Sequence, residues 1–145
     1  MPAPQVPMAS PDDTEQQFYE ALQQADLERL MAVWADEDDI ACVHPGGPRI
    51  VGAGAILASF DAMFANGAIQ SDAASVRRIH TVDAAVHHVL ERVRMPTSQG
   101  EQVAWVLATN VYLQTAQGWR LVLHHASPGS PRELQEIVDT PPMLH

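Results

Sequence analysis

The chain has 145 residues, 46% of them hydrophobic, and a formal net charge of −10. That length and apolar content suit one domain with its own core, while the acidic balance argues against nucleic acid, whose phosphates need a basic surface. All eight cations are arginines, so a lysine Schiff base and a phosphate-loop lysine are both excluded.

In chain order, the segment MPAPQVPMASP has neither a basic stretch nor an apolar one behind it, and reads as a flexible Pro-rich leader over residues 1–11 rather than a signal peptide. No apolar run is long enough to span a bilayer, and no membrane partner is expected. The lone cysteine, Cys42, cannot form an intramolecular disulfide and fits a reducing compartment, with cytoplasm as the expected location. Ser10-Pro11-Asp12-Asp13 predicts a helix start, with Pro in the first turn and acids at the positive end of the dipole. Phe18, Ala21, Leu22 and Ala25 follow at helical spacing. Asp26 predicts the cap of a second helix whose stripe is Leu27, Leu30, Met31 and Trp34. The acidic run from Asp36 to Asp39 reads as a solvated turn.

Ile40 to His44 reads as a strand stopped by Pro45-Gly46-Gly47, with Ile40, Cys42 and His44 on one face. A short extended piece from Arg49 to Val51 precedes a third helix carrying Ile56, Leu57, Phe60, Met63 and Phe64, which Asn66-Gly67 ends. Period-two segments then run over 75–82, 84–95, 103–113 and 119–126, the last two joined by a hairpin turn ending in Gly118. Helices followed by a run of strands predict an α+β domain: three N-terminal helices packed on a mainly antiparallel sheet. The tail, residues 129–145, is Pro-rich, with a short helix expected around 131–138.

Strand parity also sorts the candidate chemistry. Glu91 and Arg92 are adjacent and so face apart, as do His87 and His88, which argues against one joint site at either pair. Val106, Ala108, Asn110 and Tyr112 share a face, and a buried Asn110 amide needs a partner. Cys42 and His44 are about 6.5–7 Å apart if both lie on one strand, too far for a thiol–imidazole dyad, and Cys42 reads as inert core. No close-spaced ligand pair suggests zinc, so neither a metal nor any other cofactor is expected.

Three stretches carry a resemblance: FYEALQQADLERLMAVWADED, CVHPGG with VGAGAILASF, and GWRLVLHHASPG. In this order and spacing, residues 12–128 resemble the nuclear transport factor 2-like superfamily, the SnoaL-like or ketosteroid-isomerase-like fold. The last stretch also resembles the association domain of calcium/calmodulin-dependent protein kinase II. The resemblance implies a strongly curved sheet wrapped on the helices like a cone, a pocket at its open end, and a homodimer formed through the outer sheet face. It places His44 where related isomerases hold a carboxylate base, and their oxyanion tyrosine near Phe18, one residue from Tyr19. Neither half of that pair is reproduced, yet His44 has the titration range of an acid or base. The His-x-Ser ending selects His125 and Ser127 for the pocket and sends His124 outward. The expected lining is Trp34, His44, Asn110, Tyr112, His125 and Arg92, and the expected ligand a small organic molecule, with a carboxylate suited to His or Arg. Two functions remain open at this point. One is a ligand-binding domain that could catalyse isomerisation, dehydration or hydrolysis through His44. The other is a non-catalytic assembly module like the kinase association domain.

Overall fold

The computed structural model describes residues 8–129 and 136–139; residues 1–7 of the expected leader, and most of the helix expected at 131–138, lie outside them. Helix α1 spans Pro11–Gln24 and begins as the sequence implies, with the Ser10 hydroxyl accepting the Asp13 N–H and Asp12 and Asp13 in the first turn. It ends at Ala25, which takes a left-handed conformation (φ 51°) and turns the chain into α2, Leu27–Ala32. Asp26 caps that helix by accepting the Arg29 N–H. Helix α3, Ala53–Phe64, buries Ile56 and Phe60, whereas Leu57 is 42% exposed and not part of the packed face expected of it.

Six strands follow the order β2-β1-β6-β5-β4-β3 in one curved, unclosed sheet. They are β1 (Ala41–Val43), β2 (Arg49–Val51), β3 (Gln70–His80), β4 (Ala84–Thr97), β5 (Gly100–Thr115) and β6 (Gly118–Gly129). All pairings are antiparallel except β1 with β6. The strands outrun the segments visible in the sequence. Pro96, for example, lies inside β4 opposite Glu101, because pairing with β5 continues past the apolar alternation. The core lies between the inner sheet face and the helices, around Phe18, Leu30, Phe60, Val89, Tyr112 and Leu121. Among the described residues, no helix is long and apolar enough to cross a membrane.

Two bulges set which side chains face that core. In β3, Ala73 and Ser75 pair with the adjacent residues Glu91 and Leu90, so Ala74 is extra. In β6, Leu121 and Leu123 pair with the adjacent Tyr112 and Val111, so Val122 is extra. A bulge puts two residues opposite one, and every side chain beyond it changes face relative to strict alternation.

Candidate functional site

The β6 bulge reverses the expected assignment of the paired histidines. His124, not His125, points inward: it is 5% exposed and sits opposite Asn110 in the ladder, while His125 and Ser127 are exposed. The Ser127 hydroxyl turns to the Leu107 carbonyl.

A polar chain crosses the inner face from there. His124 Nδ1 is 2.5 Å from Asn110 Oδ1. The Asn110 amide nitrogen donates to the Tyr19 hydroxyl at 3.1 Å, and that hydroxyl donates to Glu91 Oε2 at 2.7 Å. Each partner fixes the next. An amide whose NH₂ is engaged offers only its oxygen to His124, so the proton sits on Nδ1 and a lone pair remains on Nε2. Complete burial pushes the His124 pKa down to about 3, so the ring stays neutral at physiological pH. Burial and the neighbouring Glu91 hold the Tyr19 phenol well above its ordinary pKa, so it remains a donor.

Glu91 is where this chain meets open space. It lies on β4 in the inward series Ala85, His87, Val89, Glu91, and burial drives its carboxyl up to about 7, with Glu15 adding to the rise and the Tyr19 hydrogen bond opposing it. The carboxyl faces a cavity of about 240 Å³ whose wall is mostly apolar, including Phe18, Phe60, Met63, Val93 and Val106. His44 and His124 complete its titratable lining. His44 follows β1 directly, edge-on to the Phe60 ring at 4.9 Å, with Nε2 3.1 Å from the Ser59 hydroxyl. That hydroxyl already donates to the Ile56 carbonyl, so it accepts from Nε2–H and leaves Nδ1 as the basic nitrogen. Burial lowers the His44 pKa, which favours the neutral, proton-accepting ring.

Of the expected lining residues, His44 borders this cavity, and Trp34, Asn110, Tyr112, His125 and Arg92 do not. Asn110 and Tyr112 face inward but are fully buried and committed to protein partners, outside the cavity wall; Tyr112 donates to Glu15 at 2.7 Å. Trp34 is core, 5% exposed, next to the bridge it forms with Leu121 rather than at the cavity. Arg92 is on the outer face, 3.4 Å from Asp72, because inward parity belongs to its neighbour Glu91. Cys42 is fully buried, as expected, with its thiol pushed up to about 12 by burial and by Glu91. Its sulfur comes within 3.9 Å of the His44 ring, closer than strand spacing implies, since His44 lies just past the end of β1. The proximity forms no dyad, because at that pKa the thiol is not ionised. Glu91 had a visible signal, an acid in register with apolar Val89 and Val93. His124 had none.

Comparisons with known proteins agree with this fold. The family model of the SnoaL-like domain matches residues 12–131. A Thiobacillus denitrificans structure provisionally named a calcium/calmodulin-dependent protein kinase type II association domain is 35% identical, with a TM-score of 0.78; the match covers 87% of this chain and 100% of that one. A provisionally named dehydratase of the nuclear transport factor 2-like family from Streptomyces avermitilis is 32% identical, with a TM-score of 0.71, covering 81% and 92%. A kinase II hub from S. rosetta, 17% identical with a TM-score of 0.66 over 88% and 100%, supports the fold alone. No curated protein matches the sequence.

Proposed function

The chain belongs to the SnoaL-like domain family, and we propose that its cavity binds a small, largely apolar hydroxy-carbonyl compound and removes water from it. The observation that carries this reading is the Glu91 carboxyl, buried in a cavity wall and balanced between its two protonation states near neutrality. Burial raises the Glu91 carboxyl and lowers the His44 imidazole, so both favour their neutral forms, one able to give a proton and the other to take one. Neutral His44 takes the proton next to the carbonyl on Nδ1. Protonated Glu91 gives its proton to the departing hydroxyl, which leaves as water, and the C–H electron pair becomes the new double bond. Proton exchange with solvent then resets both groups. The lone pair on His124 Nε2 accepts from a ligand hydroxyl and orients it. The 32% identity to the Streptomyces protein named a dehydratase supports this reaction class.

The test is a panel of small hydroxy-ketones and hydroxy-acids, screened by thermal shift and then for the ultraviolet absorption of the conjugated product. His44→Ala and Glu91→Gln should each lower kcat by about 100-fold or more, the usual contribution of a positioned acid or base. In the parent, the rate should fall as pH rises through about 7, where Glu91 gives up its proton. A parent that turns over at a rate untouched by both substitutions, or a panel in which no compound stabilises the protein, defeats the reading.

A second reading, self-assembly, is favoured by a different observation. Ile79, Val86, Val111 and Leu123 are in register across four strands on the outer sheet face, and Ile79 is 72% exposed. An apolar row of this kind is suited to cover by another copy, and the 35% identical relative carries an association-domain name. Light scattering should give at least twice the 15.8 kDa chain mass, and Ile79→Glu should shift the protein towards monomer. A parent that is monomeric at all concentrations excludes assembly.

A further inference from the structure

A second group of histidines and carboxylates lies outside the cavity, where β3 and β4 pass the first turn of α1. The geometry points to a zinc-class divalent metal site there, held by His80, His87 and Asp12. This goes beyond the dehydration reading and does not depend on it.

His87 is fully buried, and its Nδ1 is 2.8 Å from Glu15 Oε2. That oxygen also accepts from the Tyr112 hydroxyl at 2.7 Å, so the proton shared with His87 belongs to Nδ1. The other nitrogen, Nε2, then presents a lone pair. A histidine held through one nitrogen by a carboxylate, with the other turned outward, is the arrangement that orients imidazole ligands on metals. Two further groups lie near that lone pair: His80 Nε2 at 2.8 Å, whose N–H donates to it and which becomes a ligand once that ring's proton moves to Nδ1, and Asp12 Oδ1 at 3.9 Å. The mutually close group, one ligand atom each within 4.8 Å of the others, is Asp12, Glu15 and His87, and His80 joins it through His87. Two imidazole nitrogens bound tetrahedrally at about 2.0–2.1 Å are roughly 3.3 Å apart, so the histidine pair must open by about half an ångström and the two rings, now nearly coplanar, must tilt to aim at one ion.

The β3 bulge creates this meeting. Beyond Ala74 it is Arg78 and His80 that share the face of His87, which strict alternation from Ser71 would have turned away. His80 and Asp12 are exposed, giving an ion a path to a buried first ligand, with water free to complete the shell. The adjacent histidines His87 and His88 diverge as expected; the partner of His87 comes from the neighbouring strand. Arg78 opposes the site, since its Nε donates to Asp12 Oδ1 at 2.8 Å and its charge repels a cation. Its exposed side chain can swing clear, and the second Asp12 oxygen remains available to a metal.

The experiment is calorimetric titration of the untagged, chelator-treated full chain with zinc chloride, with cobalt chloride as a visible-absorption probe. One equivalent should bind in the micromolar range or tighter, and bound cobalt should show the d–d bands of a four-coordinate nitrogen–oxygen site. His80→Ala, at an exposed position that spares the core, should weaken binding at least tenfold and remove the cobalt bands. Asp12→Asn should weaken it too, while Arg78→Ala should tighten it. Failure to bind one equivalent of zinc, or zinc and cobalt binding that is the same in His80→Ala as in the parent, overturns the assignment. Neither result bears on the cavity chemistry.

Discussion

Glu91→Gln should melt several degrees above the parent at pH 8 and level with it at pH 4. The carboxyl has a folded-state pKa of about 7 against an ordinary 4.5, so the folded protein holds this proton more tightly than the unfolded chain does. A group of that kind supports the fold fully below its unfolded pKa, and the support is lost as pH rises through its folded pKa. The full effect is on the order of 3 kcal/mol, since each tenfold change in proton affinity is worth about 1.4 kcal/mol. Spread over a chain of this size, that is roughly 6–12 °C in Tm. Glutamine keeps a carbonyl oxygen for the Tyr19 hydroxyl and cannot ionise, so it removes the penalty while preserving the hydrogen bond. The measurement is thermal melting of both proteins across this pH range. Parallel curves, with no divergence between pH 5 and 8, would show that the Glu91 carboxyl is not strained by burial. A stabilising substitution that also ends turnover would be the trade expected of a group kept in an unfavourable place for its chemistry.

Asn110→Leu should have the largest effect in the opposite direction, a loss of about 3–5 kcal/mol in urea unfolding. The two side chains have the same number of heavy atoms, so the effect comes from hydrogen bonding rather than from a lost volume. Asn110 is wholly buried and joins His124, Tyr19 and Glu15. Without it the His124 N–H has no acceptor, and an unmatched buried polar group costs about 1–3 kcal/mol. The Tyr19 hydroxyl loses its incoming bond as well. The double replacement Asn110→Leu with His124→Phe should cost less than the sum of the two single changes, because removing both partners leaves no orphan between them. Additive losses, or a single-variant loss under about 1 kcal/mol, would mean that the Asn110–His124 bond is not a stabilising link.

Both residues lie on one inner face, yet they were unequally visible in the sequence. Asn110 stands in a run of apolar, inward-facing positions on β5, and the strand keeps strict alternation over that run, so its burial followed from parity alone. Glu91 obeys the same rule on β4, where its register with Val89 and Val93 put an acid in the core. What the sequence did not convey was the partner, Tyr19, which is 72 residues away in the chain. His44 was legible because Pro45-Gly46-Gly47 fixes the strand end that carries it. His124 and His80 are not legible in the same way, because each lies beyond a bulge and unbroken alternation points to His125 instead of His124.

By itself, the sequence determined the elements that depend on local chemistry. Ser10 and Asp26 cap their helices through side-chain oxygens within three residues, and Gly67 lies at the exit of α3 with positive φ, whereas Ala25, read as part of the α1 stripe, instead leaves that helix in a left-handed conformation. Period-two patterning marked the central strands, and helices followed by strands gave the α+β class. The tertiary structure decided which face each strand presents after its first irregularity. Ala74 and Val122 are extra only by comparison with the strands beside them, and nothing in either residue announces a bulge. That single-residue offset turns His124 towards the cavity and His80 towards His87, because side-chain direction in a strand has a period of two and any slip of one reverses it.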